Sequence, residues 1–129
     1  MKRDLDLVRK LLLYFEEKLN DKMEECPQID KYSNLEVRYH LLLMSEAGLL
    51  RCEKAVTKTG RVIKVYPFSL TWQGHEFLEA SRNATLWNRA KRLVVKKTGG
   101  LSFEVLKSLL LQLAKEGVGI MDPSLTRSR

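Results

Sequence analysis

Cysteine is scarce in this chain of 129 residues, which contains only two. Cys26 and Cys52 stand alone, with no CxxC spacing and no histidine beside them. Disulfide frameworks and zinc sites need several cysteines or histidines at short spacings. The sequence therefore predicts neither, and we expect two free or buried thiols and no metal or other cofactor.

Catalytic motifs are also missing. The stretch "HEFLE" at residues 75–79 begins like a zinc-protease helix but has glutamate where the second histidine belongs. "KTG" at residues 58–60 matches one fragment of the serine β-lactamase motifs, without "SxxK" or "SDN". The phosphate-binding loops GxxxxGK and GxGxxG do not occur. We expect no enzymatic activity, with both histidines at helix surfaces or caps.

Long hydrophobic runs are absent from the N-terminal segment, "MKRDLDLVRKLLLYFEEK", whose longest run is three leucines. That is too short for a secretory signal or a spanning helix, so we expect a soluble, cytoplasmic protein with no membrane partner. Hydrophobic residues make up 44% of the chain, enough for one domain with a real core. We place this single domain at residues 1–119 and a flexible tail at residues 120–129.

The net charge of +7 is concentrated in the middle of the chain. Residues 51–100 contain 11 Lys and Arg against 3 Asp and Glu, whereas residues 1–50 contain 8 against 10. Such an asymmetry can attract an anionic partner. The alternative is a solvated basic surface that serves solubility alone.

Hydrophobic periodicity predicts two helices before any strand. The first runs from Asp4, a suitable N-cap, to Lys22, with Leu19 in its apolar stripe. The next begins at Ser33, with Glu36 in the capping-box position, and ends at Gly48.

A hairpin and further helices follow. "LLRCEKAV" and "RVIKVY" are the predicted strands around the turn "TKTG", with Pro67 ending the second strand. Thr71 caps a helix to about Arg82, and a helix continues to Lys97 after a break near Asn83. The last helix is predicted over 102–115, with Leu101 and Leu106 in staple positions. The predicted fold class is mainly α with a small β-hairpin, α+β.

Several segments carry a resemblance to known proteins. "EAGLL" entering the hairpin and "LTWQGHEFL" leaving it are similar to a winged-helix domain. "MKRDLDLVRKLLL", "VRYHLLLMSEAGL", "LTWQGHEFLEASRNATLWNRAK" and "LSFEVLKSL" together resemble the domain-of-unknown-function family 2513, over about residues 1–113. The resemblance implies a small protein of phages, prophages and bacterial genomes with no established biochemical role. We expect a winged-helix-like scaffold with the C-terminal helices packed on the core.

Two features depart from ordinary winged-helix regulators. "DKMEECPQIDKY" leaves little room for the supporting helix of a helix-turn-helix. If Val37, Leu41 and Met44 form the core stripe, the groove-facing side chains are apolar or acidic and would read bases poorly. Those side chains are Leu35, Glu36, Tyr39, Leu42 and Leu43. We expect the C-terminal helices or a partner protein to cover Leu35, Tyr39 and Leu42.

Basic residues form the candidate nucleic-acid interface. They lie on the predicted hairpin and on the helices after it, at Lys54, Lys58, Arg61, Lys64, Arg82, Arg89, Arg92 and Lys96. Together they could contact five or six phosphates, which gives salt-dependent binding with weak sequence selectivity. Trp72 and Trp87 could stack on bases, but tryptophan in an amphipathic helix is usually a core residue.

The leading hypothesis is a non-enzymatic, phage-associated, winged-helix-like protein that binds duplex nucleic acid through the basic hairpin and helix. The alternative is a protein-binding accessory factor, such as an adaptor or an inhibitor of a host defence complex. A homodimer is a further possible partner arrangement, because winged-helix modules often pair through their terminal helices.

Overall fold

Five helices and one antiparallel hairpin make up the structure, a computed structural model that describes residues 1–100 and 102–125. The predicted α+β class is confirmed. In chain order the elements are α1 (Leu5–Glu17), α2 (Asn34–Glu46), β1 (Leu50–Val56), β2 (Val62–Leu70), α3 (Trp72–Ser81), α4 (Ala84–Thr98) and α5 (Phe103–Leu125). Within the described residues, none of these helices combines the length and the apolar character that crossing a membrane requires.

Helix α1 starts as predicted but ends early. The Asp4 carboxylate accepts hydrogen bonds from the backbone N–H groups of Asp6 and Leu7, at 2.9 and 3.2 Å. Lys18 is already extended (φ −62°, ψ 137°) and Leu19 is fully exposed. The predicted end at Lys22 is wrong. A last helical turn that buries no side chain gains no packing energy, and intrinsic helix propensity alone does not stabilise it.

The segment 18–33 contains no helix, so the expected loss of the supporting helix is confirmed. Two hydrogen bonds fix its course. The Glu24 N–H donates to the Pro67 carbonyl at 2.9 Å, and the Tyr14 hydroxyl donates to the Glu24 carboxylate at 2.8 Å. A winged-helix scaffold is therefore only loosely compatible with this chain.

Helix α2 has the predicted boundaries. Ser33 and Glu36 form the capping box, and Gly48 follows the helix in the left-handed region (φ 73°). The predicted core stripe is confirmed, because Val37, Leu41 and Met44 are all buried.

The hairpin is longer than predicted. β2 continues through Pro67 to Leu70, so the predicted stop at Pro67 is wrong. Pro67 lies opposite Cys52, next to a register shift between Arg51 and Cys52. Proline is tolerated in strands at such irregularities, where its missing N–H costs no ladder bond.

Contacts between Cα atoms divide the chain into two compact units, Met1–Leu78 and Glu79–Arg129, with the boundary inside α3. In the first unit, α2 contacts both strands and α1. In the second unit, α4 contacts α5. The buried side chains of these two helices include Trp87, Ala90, Val94, Leu106 and Leu110.

The break predicted near Asn83 and the helix end predicted after Lys97 are confirmed. Asn83 accepts from the N–H groups of Thr85 and Leu86 at the start of α4, and Gly99 ends that helix with φ 74°. Helix α5 runs beyond the predicted end at residue 115, so the predicted tail begins within it. The last four residues of that tail, and the Leu101 member of the predicted staple, lie outside the described residues.

Candidate functional site

One face of α4 carries three exposed cations. Arg89, Arg92 and Lys96 recur at three- and four-residue steps, and we call this set the α4 basic face. The first and last are seven residues apart, so the face is about 10 Å long at 1.5 Å per residue. The opposite side of the helix is buried at Trp87, Ala90 and Val94, which fixes the cations toward solvent.

The α4 basic face is electrostatically uncompensated. Helix α4 contains no aspartate or glutamate. Across residues 1–100 and 102–125, no ion pair is formed by the three cations of the face or by Lys97. Their charge is therefore available to an external anion.

Two other basic residues near this face have partners. Arg82, which the sequence placed in the interface, pairs with Glu79 at 2.8 Å. The Lys91 ammonium lies 5.4 Å from the centre of the Trp87 ring, in cation–π range. Neither side chain is as free for phosphate contact as the α4 basic face.

The two compact units differ sharply in charge. Residues 79–129 contain 10 Lys and Arg against 4 Asp and Glu, a net charge of +6. Residues 1–78 contain 13 against 12, a net charge of +1. Nearly all of the net positive charge therefore belongs to the unit that carries α4.

The hairpin tip presents a smaller basic site. Lys58 is exposed within the turn, Arg61 is exposed directly after it, and Lys54 is exposed on β1. The Thr57 N–H donates to the Arg61 carbonyl at 2.8 Å, and Gly60 has φ 89°, which only glycine adopts readily. The turn thus holds two of the predicted cations at its tip.

Lys64, the fourth predicted hairpin cation, is placed differently from the others. Its ammonium is ion-paired with Glu25 and lies 5.4 Å from the centre of the Tyr66 ring. Lys64 is half-buried, so it belongs to the base of the hairpin and not to the exposed tip.

A second candidate surface lies between α2 and β2, within the first unit. It is a cavity of about 300 Å³, which we call the α2–β2 groove. Leu35 and Ile63 are 66% and 59% exposed at its mouth, Tyr39 and Leu42 are half-buried along it, and Val65 is buried. The sequence had identified the α2 side of this surface but not Ile63.

Charged side chains line one side of the α2–β2 groove. The Glu25 carboxylate contacts Arg38 at 3.6 Å and also Lys64. The hydrogen bond from Lys64 and the positive charges of both neighbours lower the pKa of Glu25 below its usual range. Two cations thus share one carboxylate at this rim.

The sequence did not predict that His40 is buried. The expectation for both histidines was a helix surface or a cap. The surface alternative is wrong for His40, which is 1% exposed, whereas His75 is exposed as expected. The His40 Nε2 accepts the Asp4 N–H at 2.7 Å, and its Nδ1 lies 2.7 Å from the Glu36 carbonyl. His40 therefore joins α2 to the start of α1 and has no free nitrogen for catalysis.

The two tryptophans occupy opposite environments. Trp87 is buried, as expected of a core residue, but Trp72 is 75% exposed. Helix α3 buries Gly74, Phe77 and Leu78, and a step of two residues turns about 200° around a helix. Trp72 therefore lies on the opposite side from Gly74, and the expectation of a core residue is wrong there.

Both cysteines are free and half-buried, and burial raises the pKa of Cys52. Among residues 1–100 and 102–125, no group of three or more metal-ligating side chains is close enough to hold an ion.

Comparison with known proteins identifies relatives without a known role. The family described as "Hypothetical protein (DUF2513)" matches residues 2–100. A protein of Haemophilus influenzae (strain ATCC 51907 / DSM 11121 / KW20 / Rd) described as "Uncharacterized protein" is 31% identical over 112 residues. The aligned region covers 84% of this chain and 92% of the relative. No solved structure matches significantly.

Proposed function

We propose a function for this chain, which belongs to the family described as "Hypothetical protein (DUF2513)": it binds nucleic acid by contacting backbone phosphates with the α4 basic face. One observation carries the proposal. Three cations are exposed on one helix face, and no described residue forms an ion pair with them. Phosphates are suitable partners, because each contact releases condensed counterions.

The mode of binding follows from the side chains that are present. Arg89, Arg92 and Lys96 span about 10 Å and would contact about three phosphates, which carry no sequence information. Helix α2 exposes Leu35 where a reading helix needs Arg, Lys, Asn or Gln. We therefore infer weak sequence selectivity and strong salt dependence.

The hairpin tip is a separate, weaker contributor in this proposal. It offers Lys54, Lys58 and Arg61, but its unit has a net charge of only +1. The long-range attraction of a polyanion therefore acts mainly on residues 79–129.

The test is a fluorescence-anisotropy titration of a random-sequence duplex at several salt concentrations. The triple variant Arg89→Glu, Arg92→Glu, Lys96→Glu should lose binding at physiological salt. Any residual binding should show a log–log salt slope shallower by about three units, because each lost phosphate contact removes about 0.9.

Charge-matched variants separate the α4 basic face from net charge. Lys2, Lys22 and Lys115 are exposed and belong to neither the α4 basic face, the hairpin tip nor the lining of the α2–β2 groove. Their joint change to Glu alters the net charge as much as the α4 triple variant does, and it should leave most of the salt slope intact. Equal losses in the two triple variants, or intact binding in the α4 variant, would refute the proposal. A Lys58→Glu, Arg61→Glu variant measures the contribution of the hairpin tip.

A further inference from the structure

The α2–β2 groove is an apolar surface that the nucleic-acid proposal does not use. Leu35, Tyr39 and Leu42 recur at four- and three-residue steps along α2, facing Ile63 of β2. Leu35 and Ile63 are each more than half exposed. Exposed apolar clusters rimmed by polar groups mark sites of protein contact.

The shape of the groove favours a helical occupant. Leu35 and Leu42 are seven residues apart, so the apolar wall is about 10 Å long, or two helical turns. A helix placed in such a groove uses apolar residues at i, i+3 or i+4, and i+7. An added strand could pair only with the part of β2 before Pro67, because the Pro67 carbonyl already accepts the Glu24 N–H.

The charge of the rim favours an acidic occupant. Arg38 and Lys64 share the single carboxylate of Glu25, which leaves one uncompensated positive charge beside the groove. The Glu36 carboxylate, also on α2, accepts from the Ser33 N–H in the capping box. The Arg38 and Glu25 side chains are about half exposed, and solvent screens such surface ion pairs so that they hold their partners weakly. A second carboxylate can therefore displace or join Glu25.

We propose that the α2–β2 groove binds an acidic amphipathic helix of a partner protein. Apolar side chains of that helix fill the groove between Leu35 and Ile63, and one of its carboxylates contacts Arg38 and Lys64. Glu25 occupies the position of that carboxylate in the free protein. This site shares no residue with the α4 basic face, and neither proposal depends on the other.

The probe is a synthetic helical peptide of about 15 residues, with leucines at i, i+4 and i+7 and glutamates beside them. One control peptide has the same composition with its leucines spread around the helix, and a second has lysine in place of glutamate. Anisotropy of the labelled peptides should show that both controls bind the full chain at least about tenfold more weakly. Absent binding of the acidic peptide, or equal binding of all three, would overturn the proposal.

Variants of the full chain locate the site. Leu35→Asp and Ile63→Asp should each weaken binding of the acidic peptide by about tenfold or more, through lost apolar contact and added negative charge. Leu111→Asp is the matched control, because Leu111 is 42% exposed on α5 and should be neutral. Both groove residues are exposed, and unchanged circular dichroism confirms that each variant is folded. An equal effect of Leu111→Asp would contradict the assignment of the groove.

Glu25→Gln tests the role of the carboxylate. It removes the competing charge from Arg38 and Lys64, so the acidic peptide should bind several-fold more tightly. Unchanged or weaker binding would overturn the charge assignment. Sedimentation velocity of the free protein tests whether a second copy of this chain occupies the groove instead. A dimer that Leu35→Asp abolishes would assign the groove to that second copy and overturn the proposal.

Discussion

His40 connects two helices through one ring. Since Nε2 accepts the Asp4 N–H, the neutral imidazole must carry its proton on Nδ1, which donates to the Glu36 carbonyl. His40→Leu keeps an apolar side chain on the buried stripe but leaves the Asp4 N–H without this acceptor. We expect a loss of about 1–3 kcal/mol in the free energy of unfolding, measured by urea denaturation.

His75 provides the control for this prediction. It is exposed on α3, so His75→Leu should change the free energy of unfolding by no more than about 0.5 kcal/mol. Equal effects of the two substitutions would show that the His40 hydrogen bonds do not stabilise the fold.

Two tyrosines donate to carboxylates and should resist ionisation. The hydrogen bond to Glu24 and partial burial raise the pKa of Tyr14 to about 12. Partial burial and the hydrogen bond to Asp4 raise the pKa of Tyr32 to about 12. An unfolded tyrosine ionises near pH 10. The contribution of each tyrosine to stability is therefore complete below about pH 10 and is lost as the pH rises toward about 12.

The measurement is phenolate absorbance during an alkaline titration of the folded protein, which has four tyrosines. Tyr14→Phe and Tyr32→Phe should each remove amplitude from the step near pH 12. The difference in unfolding free energy between wild type and each variant should shrink between about pH 10 and pH 12. Loss of amplitude near pH 10 instead would contradict the assigned hydrogen bonds.

Single residues were predictable from sequence where helical spacing decides their environment. Val37, Leu41 and Met44 follow the apolar stripe, and His40 could have been found there, because it lies three residues after Val37 and four before Met44. The ion pair between Lys64 and Glu25 could not be predicted, because it joins positions 39 residues apart.

At the scale of elements, Gly74 determines how closely α3 approaches the backbone of Leu49, in the connection between α2 and β1. A Cβ at this position would overlap the backbone carbonyl oxygen of Leu49, which accepts the Thr71 N–H at 3.1 Å. Alanine gains about 1 kcal/mol of helix propensity over glycine, but this backbone contact cannot yield as a flexible side chain would. We expect Gly74→Ala to lower the free energy of unfolding by about 1–3 kcal/mol.

Gln73 is the neighbouring control, exposed on the same helix. Thermal or urea denaturation measures both variants, and Gln73→Ala should leave the free energy of unfolding nearly unchanged. A Gly74→Ala variant as stable as wild type would mean that α3 shifts away from Leu49 without cost.

Element boundaries were predictable where local capping chemistry sets them. Ser33 and Asn83 each accept backbone N–H groups within three residues, so their sequence patterns located the starts of α2 and α4. The end of α1 and the course of β2 through Pro67 depend on distant contacts. Leu19 finds no partner to bury it, and the Pro67 carbonyl binds Glu24, 43 positions away. No local pattern contains that information.

At the scale of the whole molecule, the division of charge separates two kinds of surface. The sequence showed that positive charge was concentrated after residue 50, but not that the unit boundary within α3 would leave +1 on one side and +6 on the other. The predicted hairpin cations belong to the nearly neutral unit, together with the α2–β2 groove. The α4 basic face belongs to the strongly basic unit. The proposed sites for a polyanion and for an amphipathic helix therefore consist of different residues.

This separation predicts that the two binding activities are independent. Leu35→Asp should weaken binding of the acidic helical peptide by about tenfold or more and leave the affinity and salt slope for duplex within about twofold, because Leu35 offers nothing to a phosphate. The triple variant Arg89→Glu, Arg92→Glu, Lys96→Glu should lose duplex binding and keep its affinity for the peptide. Only the peptide association rate should fall modestly, because the net charge is reduced. Anisotropy titrations with separately labelled duplex and peptide measure both activities on each variant at physiological salt. If the α4 variant lost both ligands equally, the peptide would be binding as a polyanion to α4, and the groove would have no role in it. If duplex displaced the peptide from the wild-type chain, the two ligands would share one surface, contrary to the charge division.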